Sequence, residues 1–103
     1  MVEKLKKEAY RKKREAELQA IEARIEELKS KAEKAQAEAQ ITYAEQLEEL
    51  EAQREVAEDK LEELSTASEA AWEKLTTGVD DAFDELQTSI SEATERIQKS
   101  LNS

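Results

Sequence analysis

The stretch AAWEKLTTGVD (70–80), DAFDELQTSIS (81–91), EATERIQKSLN (92–102) is one eleven-residue unit written three times. Stacking the copies brings Ala71, Ala82 and Ala93 into one column and Trp72, Phe83 and Thr94 into the next. Two further columns hold Leu75, Leu86 and Ile97, then Val79, Ile90 and Leu101. Eleven residues span three turns at about 3.67 per turn, so all four columns share one face of a straight or slightly right-handed helix. Such a stripe has to be covered by another apolar surface, which an isolated helix cannot provide.

Upstream, a heptad seam starts at Leu18. Leu18, Ile25, Ala32 and Ala39 hold one register position, and Ile21, Leu28, Ala35 and Thr42 another, an a/d pattern. Its second half is alanine, which buries far less than leucine, so 32–39 is expected to be the weak part of the seam. The seam resumes at Leu47, Leu50, Arg54, Ala57, Leu61 and Leu64, one residue out of phase with the first frame. Local unwinding absorbs such a skip, and steps of eleven from Leu28 (Ala39, Leu50, Leu61, Trp72, Phe83, Thr94) bridge it. Ile41 and Tyr43 flank the skip and are expected to pack where the helix is rewound.

Two places offer a break. Ser65–Thr66–Ala67–Ser68 before Glu69 resembles a helix start, with Thr66 and Glu69 at capping-box spacing. Gly78 suits a helix end, with Asp80 or Asp81 capping a successor. The apolar stripe nevertheless runs through both without losing phase. The favoured expectation is one continuous helix on the order of 140 Å long, with a bend near 65–68 or 78 as the rival.

Composition agrees with a helical chain. Of 103 residues 41% are charged, with one Gly, no Pro, no Cys and no His. The class expected is all-α: a long amphipathic helix forming a coiled coil or helical bundle by self-association. Its parts are a basic helical N-terminal arm, 1–17, and a coiled-coil helix, 18–102, with heptads over 18–64 and eleven-residue repeats over 70–102. The net charge of −10 is uneven: residues 1–14 carry seven Lys/Arg against Glu3 and Glu8, and the remainder is strongly acidic. An acidic body disfavours nucleic acid. MVEKLKKEAY lacks the apolar run of a signal peptide and no segment is apolar enough to span a bilayer, so the expected location is the cytoplasm.

Catalytic chemistry is poorly provided for. Without His or Cys the chain lacks the usual general base, zinc ligands and thiol nucleophile, and one glycine cannot build a phosphate loop. No enzyme activity, cofactor or catalytic residue is expected. Asp80, Asp81, Asp84 and Glu85 put carboxylates side by side on a helix, but without loop glycine or EF-hand spacing they read as a solvated acidic face. Arg54, the one charge on the seam, reads as a side chain reaching Glu51, Glu55 or Glu58, or as a register-setting charge paired across an interface.

The residues expected to form a self-association interface are Leu18, Ile21, Ile25, Leu28, Leu47, Leu50, Leu61, Leu64, Trp72, Leu75, Val79, Phe83, Leu86, Ile90, Ile97 and Leu101. A face this wide favours three or four packed helices, a dimer being the narrower option. The C-terminal end should anchor the assembly and the basic end should stay free. Ala71, Trp72, Leu75, Gly78, Val79, Ala82, Phe83 and Leu86 also resemble the repeat of small cyanobacterial-type coiled-coil stress-response proteins. That resemblance implies a non-enzymatic, stress-associated role. Eleven-residue amphipathic repeats resemble apolipoprotein-like and synuclein-like lipid-surface helices as well, which makes a membrane-surface or membrane-protective helix the alternative. Lys74, Arg96 and Lys99 against seven acidic residues in 70–102 weaken it.

Overall fold

The computed structural model describes residues 2–102 and is all-α. It contains three long helices: α1 (Val2–Ala32), α2 (Ala37–Glu63) and α3 (Glu69–Asn102). Short connections reverse the chain twice, so α2 runs against α1, and α3 runs against α2 and parallel to α1. Each helix touches the other two, and the molecule measures 54 × 18 × 15 Å. Its long axis matches the roughly 51 Å expected of the 34-residue α3.

The single unbroken helix is therefore replaced by three. The first reversal falls at 33–36, inside the alanine stretch, where neither Gly nor Pro marks a turn. Continuing the helix there would bury only Ala35 and Ala39. Folding back instead lets Leu50 and Leu61 pack with Leu18, Ile21 and Ile25 in one core. The one-residue phase skip is the signature of this turn, not of local unwinding. Gln40 closes it from the second helix: its side-chain amide donates to the carbonyls of Glu33 at 2.7 Å and Ala35 at 2.9 Å. These bonds serve acceptors at the end of α1 that have no helical partner.

The second reversal falls at 64–68, one of the two bends considered. Leu64–Thr66 form a 3-10 turn, and Ala67 is extended at φ −72°, ψ 139°. The Ser65 hydroxyl donates to Glu62 O at 2.7 Å, closing α2. The cap of α3 is Ser68 and not Thr66: Ser68 Oγ accepts from Ala71 N–H at 3.2 Å, whereas the Thr66 hydroxyl turns back to Glu63 O. Gly78 is not a bend. It lies inside α3, and no described residue has a positive φ.

All three helices feed one apolar core. Buried positions on α3 (Val79, Phe83, Leu86, Ile90, Ala93 and Ile97) step alternately by four and three residues, the heptad interval, with Ala82 beside them. The third copy of the eleven-residue unit departs from its column at Thr94. This side chain stays out of the core, its hydroxyl donating to Ile90 O at 2.7 Å. Tyr43 is buried as its position beside the skip suggested, its hydroxyl donating to Arg96 O at 3.3 Å, but Ile41 is two-thirds exposed. Among the described residues no polar side chain other than Tyr43 is buried.

Candidate interaction surface

Lys7, Tyr10 and Arg14 stand at i, i+3 and i+7, so α1 carries them on one face, and that face meets α3. The Tyr10 ring lies edge-on to Trp72, centroids 6.0 Å apart. Its hydroxyl donates to Asp80 Oδ1 at 2.5 Å, and Arg14 Nη2 donates to the same oxygen at 2.6 Å. Arg14 Nη1 bonds Glu17 at 2.6 Å while its guanidinium stacks 4.8 Å from the centre of Phe83. Lys7 Nζ sits 5.1 Å from the centre of the Trp72 ring. The basic end is therefore not a free arm. Helix α1 runs through residue 17 without a boundary, and cation–π contacts and one shared carboxylate seat its second to fourth turns on α3.

These contacts set the local titration. The bonds from Tyr10 and Arg14 hold Asp80 below the ordinary carboxylate range, against a smaller opposing effect of burial. Burial and the neighbouring Asp80 charge raise Tyr10, more than Arg14 lowers it. Burial disfavours the Arg14 charge, but its contacts with Tyr10, Asp80 and Glu17 outweigh that and raise its pKa. Asp80 thus leaves the presumed acidic face and joins α1 to α3. Among the described residues no group of three or more Asp or Glu is placed to hold a metal ion.

On the α1–α2 side, Arg54 combines the two roles considered for it. It bonds Glu58 at 2.8 Å and Glu51 at 3.3 Å on its own helix, and reaches across to Glu22 of α1 at 2.9 Å. Burial works against its charge, while these carboxylates more than offset the effect and raise its pKa. Toward the 33–36 turn an open groove of about 640 Å³ lies between the two helices. Ile25, Ala32, Ala44, Leu47 and Ala52 line its floor and walls, and Glu33, Glu48, Glu51 and Glu55 stand around it with Lys29, Glu51 also meeting Arg54.

The expected interface residues are distributed as follows. Leu18, Ile21, Ile25, Leu28, Leu50, Leu61, Leu64, Val79, Phe83, Leu86, Ile90 and Ile97 are buried within the chain itself. Leu47, Trp72 and Leu75 are partly buried against that core, and Leu101 is 36% exposed. What the surface does offer is Val2 and Leu5, 67% and 69% exposed on the outer side of α1, with Ile41 and Val56 on α2. Sequence reading passed over the Tyr10–Arg14–Asp80 joint. Its only sequence trace is the spacing of Lys7, Tyr10 and Arg14, which carries no apolar periodicity.

Among the described residues no helix is long and apolar enough to cross a membrane. Comparison with known proteins returns no match: no family profile fits the chain, and no curated protein or solved structure is significantly similar to it.

Proposed function

We propose that the chain is a non-enzymatic cytoplasmic protein whose three helices form a coiled-coil bundle, and that the bundle associates with further copies of itself in a structural, scaffolding or stress-associated role. The observation that carries this reading is the open α1–α2 groove, where Ala44, Leu47 and Ala52 keep accessible apolar surface beside the buried Ile25 and Ala32. A fourth helix with heptad-spaced apolar residues would cover them. The likeness of the Trp72/Phe83 repeat to cyanobacterial-type stress-response proteins points the same way. So does the lack of His and Cys, which leaves few groups for catalysis.

Sedimentation equilibrium of the full chain across a wide concentration range tests the proposal. A mass rising above the 11.7 kDa protomer at unchanged helicity is the expected result. A protomer mass throughout overturns it. Leu75→Asp is a poor probe, because Leu75 packs against the core and its loss would unfold the chain. The lipid-surface alternative draws on one observation: the apolar face of α3 is continuous from Val79 to Ile97 and joins α2 through residues 64–68 alone. Opening there would offer that face to a membrane. It predicts loss of tertiary structure with retained helicity when vesicles are added.

A further inference from the structure

The association proposed above leaves open which surfaces meet, and charge on the two ends of the molecule answers it. The α1–α2 groove is apolar inside and acidic at its edge, where Glu33, Glu48 and Glu55 outnumber Lys29 and a further carboxylate, Glu51, is shared with Arg54. Ile41, exposed one heptad before Glu48, extends the apolar strip on the same side of α2. The first turns of α1 have the opposite character. Val2, Leu5 and Ala9 stand at i, i+3 and i+7, all exposed, flanked by Lys4 and Lys6 and, further on, Lys12 and Lys13, against Glu3 and Glu8. This is the anchor spacing of a helix that lies in a groove.

The tip is also sterically available. Arg11 and Glu15 share a crevice with Glu62 and Ser65 at the end of α2, so the turns before Arg11 extend past that helix. Lys7 and Tyr10 face α3, which leaves Val2 and Leu5 on the far side of α1. Among the described residues nothing else covers them. We infer that the basic tip of α1 from one copy docks in the acidic-edged α1–α2 groove of a second copy. The inference rests on the self-association reading and makes the contact head-to-tail. Each molecule then offers a free tip and a free groove, and the contact propagates into a ring or an open filament instead of stopping at a two-fold dimer.

The test is a charge-swap cycle on the full chain, read by sedimentation equilibrium with circular dichroism as the folding control. Glu48→Lys/Glu55→Lys alters the groove and Lys4→Glu/Lys6→Glu alters the tip. All four side chains are exposed, so the fold is retained. The groove variant brings the net charge from −10 to −6, which by general repulsion alone would favour association. The docking predicts the reverse, a weakening of roughly tenfold, with the tip variant weakened alike. Mixing the two variants restores a contact between the basic groove of one and the acidic tip of the other, and Leu5→Glu abolishes association.

If wild type associates and the swaps leave it unchanged or strengthen it, head-to-tail docking is overturned while self-association stands. A wild type that remains a protomer overturns both. Flotation with anionic vesicles, lost in the tip variant and seen without self-association, would assign the tip to a membrane surface and overturn the docking.

Discussion

Gly78→Ala is the perturbation that reads the fold most cleanly. Gly78 lies ten residues into the 34-residue α3, its φ is not positive, and a methyl group on its Cα would meet no non-neighbouring heavy atom within 4 Å. Alanine therefore brings neither a clash nor a strained dihedral. What changes is the entropy lost on fixing the backbone, about 0.5–1 kcal/mol in favour of alanine inside a helix. For a domain of this size each kcal/mol moves Tm by about 4–8 °C, so the variant should melt roughly 2–8 °C higher. Urea unfolding should show a later midpoint at unchanged slope, which locates the gain in stability and not in a less compact state. Both measurements belong at one fixed protein concentration, since association raises apparent stability by itself. A lowered Tm would mean that residue 78 takes a left-handed cap conformation, and the continuous α3 would be wrong.

Three further outcomes follow from particular contacts. Leu86, with no exposed surface, sits in the middle of the buried stripe of α3, and Leu86→Ala should cost about 2–5 kcal/mol, seen as an early urea midpoint or loss of cooperative unfolding. Ser68→Ala removes the acceptor for Ala71 N–H and should lower stability by about 1 kcal/mol; a neutral result would place the start of α3 elsewhere. Asp80 is held below its ordinary value of 3.8 in the fold by Tyr10 and Arg14. Its contribution is complete above that value and is lost as pH falls through the depressed one. Asp80→Asn should therefore flatten the acid limb of the Tm–pH curve below about pH 4, and an unchanged limb would refute the shared-carboxylate geometry.

The residues that read correctly from sequence are those whose role depends on periodicity alone. Leu18, Ile25, Leu50, Leu61, Phe83 and Leu86 are buried because they recur at helical spacing, whichever helix covers them. Periodicity says less about where a chain turns. At 65–68, Ser and Thr hydroxyls announce a possible cap, and the cap falls two residues beyond Thr66, at Ser68. At 33–36 every residue favours helix, and the turn exists because packing Leu50 and Leu61 on α1 outweighs extending an alanine face. That is a tertiary preference overriding local propensity, and its one trace was the shifted phase at Leu47. The Tyr10–Arg14–Asp80 joint depends on α1 and α3 running parallel, which no local pattern encodes.

The core, apolar but for the Tyr43 hydroxyl, has a further consequence for how the helices are held in place along their length. Val79, Leu86 and Ala93 repeat every seven residues, as do Phe83, Ile90 and Ile97. Sliding α3 by one such interval, about 10 Å, would still set oil against oil. The buried Tyr43 hydroxyl bonds a backbone carbonyl of α3, and each heptad offers another such carbonyl, so the interior behaves as a graduated scale without numerals. The numeral is written at the edge: only one alignment brings the Asp80 carboxylate under both the Tyr10 hydroxyl and the Arg14 guanidinium. A contact contributing little to the depth of the energy minimum can thus decide which of several similar minima the chain occupies.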